Sequence, residues 1–207
     1  MPEARPTTFV VDDDASVRDA IGNLLESVGL RAKMFGSTEE FWKAPRPNGP
    51  SCLILDVRLP GASGLEFQEQ LAKAGVSIPV IFITAHGDVP MTSRAMKAGA
   101  IEFLMKPFQK EELLAAVRHG LERDRIQREE QAEVSILQSP VEQLTSRERE
   151  VMDLVVTGLI NKQIGAQLGL SEVTVKIHRS RVMQKMEAAS LAELVRMSDK
   201  LKPRLRK

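Results

Sequence analysis

With 207 residues, 43% of them hydrophobic and 28% charged, the chain is long for one small domain, comfortable for two, and too apolar to be wholly disordered. The net charge of +1 hides an asymmetry: residues 141–207 balance at +5 and residues 1–140 at −4, which suits an anionic polymer as partner of the C-terminal part. A single cysteine, Cys52, excludes an internal disulfide and a multi-cysteine zinc site, and no stretch reaches the roughly 18–20 apolar residues of a membrane span.

The first residues, Met1-Pro2-Glu3-Ala4-Arg5, lack the apolar core of a signal peptide, so a cytoplasmic location is expected. Short apolar runs then alternate with helix-period segments through about residue 120. The runs are Phe9-Val10-Val11, Lys33-Met34-Phe35, Cys52 to Leu55, Val80 to Ile83 and Phe103-Leu104-Met105. Runs of this length suit strands buried on both faces, as in a parallel sheet, and place Cys52 in the core. Between them, Ile21, Leu24, Leu25 and Val28 recur at helical spacing, with Gly29 as a stop. Ser37-Thr38-Glu39-Glu40 reads as a capping box opening a second helix. Leu65, Gln68 and Leu71 share a face of a third helix that ends near Gly75, and Met91 to Ala98 forms a fourth, stopped by Gly99. A fifth begins at Lys110, with Leu113, Leu114, Val117 and Leu121 as its apolar stripe. Five strands alternating with five helices predict an α/β domain with a doubly wound, parallel five-stranded sheet.

From Glu122 to Gln138 the sequence turns heavily charged and reads as an extension of the fifth helix or a helical linker, with Ser139-Pro140 marking its end. Residues 145–207 are helix-period throughout, which predicts a second, small all-α domain.

Ligands of open parallel sheets bind outside the carboxyl ends of the strands. The residues just past the predicted strands are Asp12-Asp13-Asp14, Asp56, Thr84 and Lys106. Carboxylates gathered in one pocket repel unless a cation sits among them, and an all-oxygen set with room for water suits Mg²⁺. A lysine and a hydroxyl opposite would suit the oxygens of a phosphoryl group, with a carboxylate as the acceptor. Taken one at a time, the same residues read as strand-end polar groups and a helix N-cap. The strings Val11-Asp12-Asp13-Asp14, Leu55-Asp56-Val57-Arg58-Leu59-Pro60-Gly61-x-x-Gly64, Ile83-Thr84-Ala85-His86 and Lys106-Pro107-Phe108 resemble the receiver domains of response regulators, which have a flavodoxin-like fold. The resemblance covers about residues 7–125. It implies Asp56 as phosphoacceptor, and Asp12, Asp13, Asp56 and the Arg58 backbone carbonyl as the magnesium site. It further implies Thr84 and Lys106 as partners of the phosphoryl group, a cis peptide before Pro107, and Phe103 as an aromatic switch that otherwise serves only the core.

Farther along, Thr145-Ser146-Arg147-Glu148 reads as a capping box, followed by Val151, Leu154 and Val155 at helical spacing, with Gly158 as the stop. A short helix from Asn161 to Leu168 leads through Gly169-Leu170-Ser171 to a helix from Glu172 to about Met186. Lys176, Arg179, Arg181 and Lys185 lie on that last helix with no acid between them. Short helix, glycine turn and basic helix follow the order of a DNA-binding helix-turn-helix. The strings Leu144-Thr145-x-Arg147-Glu148, Gly158-x-x-Asn161-Lys162-x-Ile164 and Leu170-Ser171-x-x-Thr174-Val175-Lys176-x-His178 resemble the four-helix LuxR/FixJ-type domain. This resemblance implies that Lys176, Ile177 and Ser180 face the major groove and that Lys162, Thr174 and Arg179 contact phosphates. The family often carries a basic residue where Ser180 stands. His178 reads as a packing residue, with no second metal ligand at suitable spacing.

Together the two resemblances imply a response regulator of the NarL/FixJ class, with Gly87-Asp88-Val89-Pro90-Met91 similar to FixJ-like members. They imply a receiver over 1–125, a charged helical linker over 126–142 and a helix-turn-helix domain over 143–207. The implied partners are a sensor histidine kinase, double-stranded promoter DNA, a second copy after phosphorylation, and RNA polymerase. The rival reading is an enzyme working through an aspartyl phosphate. Haloacid-dehalogenase-like enzymes place an acid/base aspartate two positions after the nucleophile, where this chain has Arg58. A receiver that acts only as an unphosphorylated scaffold is the second rival, and the Asp56, Thr84 and Lys106 set argues against it.

Overall fold

The computed structural model of the chain describes residues 5–61 and 63–205. The expectation drawn from Met1 to Ala4 lies outside the described residues. Residues up to Arg128 form one compact unit and those from Glu129 a second.

In the first unit, strands β1 (Thr7–Val11), β2 (Arg31–Phe35), β3 (Ser51–Asp56), β4 (Val80–Thr84) and β5 (Glu102–Met105) pair in parallel in the order β2-β1-β3-β4-β5. The direction of winding reverses between β1 and β3, where open α/β sheets bind ligands at the carboxyl ends of their strands. Register aligns Val11 with Leu55, Asp56 with Ile83 and Thr84 with Met105, so those ends finish at one edge.

Side chains alternate across the sheet and build a core on each face. Leu53 and Leu55 pack with Phe9, Val11 and Phe82 under helices α2 (Thr38–Lys43), α3 (Gly64–Lys73) and α4 (Val89–Lys97), which contribute Phe41, Leu65, Phe67, Leu71 and Ala95. Cys52 and Ile54 face the other way, toward Ile21 and Leu25 of α1 (Ala15–Ser27) and Leu113, Val117 and Leu121 of α5 (Lys110–Glu142). Each such buried side chain contributes roughly 1.5–3 kcal/mol relative to exposure, which fixes which face each strand residue takes.

Several boundaries differ from the sequence reading, for identifiable reasons. Asp56 and Thr84 are the last residues of β3 and β4 rather than the first beyond them. Strands β2 and β5 are not buried on both faces; they are the edges of the sheet, and their residues are half-buried or exposed. Helix α4 starts at Val89, because the Asp88 carboxylate accepts the Met91 N–H at 2.7 Å and Pro90 fits the first turn. At α2 the Ser37 hydroxyl caps Glu40, but Glu40 reaches back to the Gly36 N–H, one residue before its capping-box partner. Helix α5 does not end at Ser139-Pro140; it runs to Glu142, with Pro140 inside it. Val134, Leu137 and Val141 pack into the second core, and that burial outweighs the backbone hydrogen bond that proline removes.

The second unit is helical: α6 (Ser146–Val155), α7 (Asn161–Leu168), α8 (Glu172–Lys185) and α9 (Leu191–Leu205). Its core joins Val151, Met152 and Val155 of α6 to Ile164 of α7, Val175 and Val182 of α8, and Leu194 and Leu201 of α9. The Thr145–Glu148 capping box is complete, each side chain accepting the other's backbone N–H at 3.2 and 2.9 Å. Gly169 ends α7 in the left-handed conformation (φ 66°), which glycine adopts without a Cβ clash, and Ser171 caps α8. Among the described residues no helix is long and apolar enough to cross a membrane.

Candidate phosphorylation pocket and nucleic-acid interface

The pocket is assembled at the carboxyl ends of β1, β3, β4 and β5. Asp12 leaves β1 fully buried, Asp56 ends β3 buried, and Asp13 stands exposed beside them. One carboxylate oxygen from each of the three lies within 4.8 Å of the others. Lys106, just past β5, reaches into this group: its Nζ donates to Asp12 Oδ2 at 2.6 Å and to Asp56 Oδ2 at 2.7 Å. Burial works against charge on both sides of this bridge. It raises the pKa of Asp12, the hydrogen bonds from Lys106 and from the Asp14 backbone offsetting it only in part. Burial would likewise lower Lys106, but its hydrogen bonds to Asp12 and Asp56 outweigh that and raise its pKa.

The remaining oxygens are fixed by backbone. Asp12 Oδ1 accepts the Asp14 N–H at 2.9 Å and Asp56 Oδ1 accepts the Arg58 N–H at 3.0 Å. Asp56 therefore presents a carboxylate with one oxygen tied to its own loop and one paired to Lys106. Gly64, at the head of α3, permits the loop to close over β3: a Cβ there would lie 2.2 Å from the Asp56 carbonyl oxygen. The Thr84 hydroxyl, buried at the end of β4, donates to the His86 carbonyl at 3.2 Å and accepts the His86 N–H at 3.3 Å. Phe103 of β5 is half-buried, its ring 6.2 Å from that of Phe82. The peptide between Lys106 and Pro107 is cis. Asp14, which the sequence reading grouped with the pocket, faces α1 and caps it, accepting from Ser16 at 2.8 Å. Arg18 is a residue that sequence reasoning missed. Its Nη1 donates to the Asp12 backbone carbonyl at 2.6 Å and holds the β1–α1 turn.

The second candidate surface is the outer face of α8. Lys176, Ile177 and Ser180 are exposed on it, and Lys162 is exposed on α7. Thr174 and Arg179 are half-buried and already engaged: the Thr174 hydroxyl shares a 2.8 Å hydrogen bond with Ser171, and Arg179 Nη1 donates to Asn161 Oδ1 at 3.2 Å. The Arg179–Asn161 bond joins the start of α7 to the middle of α8 and fixes the angle of the two helices. His178 is half-buried. Lys185 does not face outward with the other bases; half-buried itself, it donates to the buried Glu148 at 2.6 Å. Val173, 69% exposed near the start of α8, was not singled out by the sequence, although its spacing of three and four from Lys176 and Ile177 places it on their face.

Comparison with known proteins accounts for both units. Residues 8–118 match the response regulator receiver domain family, and residues 142–198 match the family of bacterial regulatory proteins of the luxR type. The chain is 56% identical to nodulation protein W of Bradyrhizobium diazoefficiens, over 93% of this chain and 85% of that protein. It is 44% identical to the transcriptional regulatory protein FixJ of Azorhizobium caulinodans, over 96% of this chain and 93% of that one. Among solved structures, response regulator StyR superposes with a TM-score of 0.80 at 50% identity, covering 95% of this chain and all of that one. The chain therefore belongs to the response regulators, and unites a receiver domain with a luxR-type DNA-binding domain as the transcriptional regulators of two-component systems do.

Proposed function

We propose that Asp56 accepts a phosphoryl group from a sensor histidine kinase and that this modification controls sequence-specific DNA binding by α8. The observation that carries the reading is the Lys106 bridge, which holds the Asp56 carboxylate at the mouth of an acidic pocket beside Asp12. An Asp56 oxygen attacks phosphorus, an O–P bond forms, and the bond from phosphorus to the donor atom breaks. Lys106 then pairs with the added charge. Thr84 exchanges its hydrogen bond with His86 for one to a phosphoryl oxygen, a contact that exists only in the modified state. Such differential contacts are what shift a two-state equilibrium. Phe103, next to this strand end, is the aromatic residue that follows the Thr84 hydroxyl.

The residue set fits magnesium: three carboxylates that offer oxygens within 4.8 Å of one another are hard donors, and the Arg58 backbone carbonyl would be a fourth ligand. When bound there, magnesium would supply positive charge to balance a transferring phosphoryl group. Arg58 stands two residues beyond Asp56, where an enzyme turning over small phosphoesters would need an acid, so the chain acts as an acceptor and not as a phosphatase.

We divide the roles among residues 1–125 as receiver, 126–142 as charged connection and 143–207 as DNA-binding domain. Lys176, Ile177 and Ser180 face base edges, and Lys162, Thr174 and Arg179 lie toward phosphates. The partners are the kinase, a double-stranded promoter site, a second copy of the chain after phosphorylation and RNA polymerase, all in the cytoplasm. Incubation with Mg²⁺ and acetyl phosphate, followed by peptide mass spectrometry, tests the acceptor. Modification is expected on Asp56 and lost in Asp56→Asn; a phosphoryl group on Asp12 or Asp13 would overturn the assignment.

A further inference from the structure

Val173 and Ile177 are an unusual pair for the outer face of a helix. They are 69% and 48% exposed, lie four residues apart on one side of α8, and flank the exposed Lys176. Their fellow valines, Val175 and Val182, are buried on the opposite side and account for the packing of this helix. Neither Val173 nor Ile177 has a folding role of that kind, and β-branched residues at solvated helix positions lower helix propensity rather than raise it. Isolated exposed apolar residues are ordinary in proteins. Here, however, both stand in the N-terminal half of the second helix of a helix-turn-helix, the part that meets base edges. The basic residues Lys176 and Arg181 on the exposed surface of α8 make the occupant an anionic polymer.

We infer that Val173 and Ile177 form an apolar contact strip that reads thymine C5-methyl groups in the major groove, on either side of the base pair addressed by Lys176. The thymine methyl is the one apolar group that a base pair presents there, so an aliphatic side chain at the groove floor discriminates thymine and little else. A methyl group fully removed from water is worth about 0.8 kcal/mol, or about fourfold in affinity per thymine contacted. This inference rests on the DNA-binding reading of α8 and adds the chemistry that it selects.

The full chain, phosphorylated with acetyl phosphate and Mg²⁺, is used to select binding sites from a random duplex pool. Each thymine of the selected half-site is then replaced in turn by deoxyuridine, which removes the methyl and leaves the hydrogen-bonding groups. Affinity is expected to fall about fourfold at one or two thymines. In Val173→Ser, deoxyuridine at one of those positions should have no further effect, whereas Val173→Ile should keep the sensitivity. A selected site that tolerates deoxyuridine everywhere would overturn the inference while leaving DNA reading by α8 intact. Equal methyl sensitivity in Val173→Ser would do the same for Val173. Failure of the pool to yield any preferred sequence would overturn the DNA-binding reading and the inference with it.

Discussion

Glu148 shows how one carboxylate sets the acid limit of the second unit. Its Oε2 accepts from Lys185 Nζ at 2.6 Å and from the Thr145 backbone N–H at 2.9 Å, and it is buried where both bonds are sheltered. The hydrogen bond from Lys185, followed by that from Thr145, lowers the carboxyl from an ordinary 4.5 to about 2. A folded pKa below the unfolded one means that the unfolded chain binds the extra proton, so the stabilisation is complete above pH 4.5 and disappears as pH falls toward 2. Glu148→Gln should therefore be less stable at pH 7 and should lose much of the acid-dependent slope between those two values. Chemical denaturation monitored by circular dichroism over that range measures it. An unchanged slope in the variant would contradict the role given to Glu148.

At the scale of elements, the receiver is pinned by a buried carboxylate far from the pocket. Asp124 of α5 accepts the Ser51 backbone N–H at 2.7 Å and the Arg128 Nε–H at 2.6 Å, tying α5 to the beginning of the strand that ends in Asp56. Asp124→Ala leaves the Ser51 N–H buried without its acceptor and should cost on the order of 1–3 kcal/mol, read as a lower urea midpoint; an unchanged midpoint would remove Asp124 from the account. Neither end of this bond has a sequence signature, since backbone partners carry none, and the same holds for Arg18 and the Asp12 carbonyl. The central strands β1, β3 and β4 were legible because burial on both faces demands continuous apolar runs. At the edges, Lys33 in β2 and Glu102 in β5 break that pattern, and the sheet leaves Lys33 half-buried and Glu102 exposed. The pocket residues were legible because a parallel sheet brings strand ends together, however far apart they lie in the chain. On α8 the basic pattern was visible but the face of each base was not: Lys185 turned to Glu148 and Arg179 to Asn161. The two exposed lysines should differ in kind. Lys176→Ala is expected to cost about 1–3 kcal/mol at one base pair and relax specificity there, whereas Lys162→Ala should weaken all sequences alike and lower the salt slope by about one. Salt titrations on specific and scrambled duplexes separate the two, and indistinguishable behaviour would collapse the division between base and phosphate contacts.

For the whole molecule, a single recognition helix in one groove buries too little surface for tight specific binding, so the proposed function calls for two copies on two half-sites. Two-fold symmetry of such a pair predicts an inverted repeat with half-site centres about one helical turn apart. Under that proposal the coupling between pocket and DNA would consist of a change in the population of the dimer, driven by the contacts that Lys106 and Thr84 would make to a phosphoryl group. The most direct test of that coupling is the affinity of the full chain for its selected duplex, measured by fluorescence anisotropy alongside sedimentation, with and without acetyl phosphate and Mg²⁺, for the parent and Asp56→Asn. Tighter binding and a dimer are expected only for the phosphorylated parent. Equal affinity in all four samples, with an unchanged monomer after phosphorylation, would contradict that coupling.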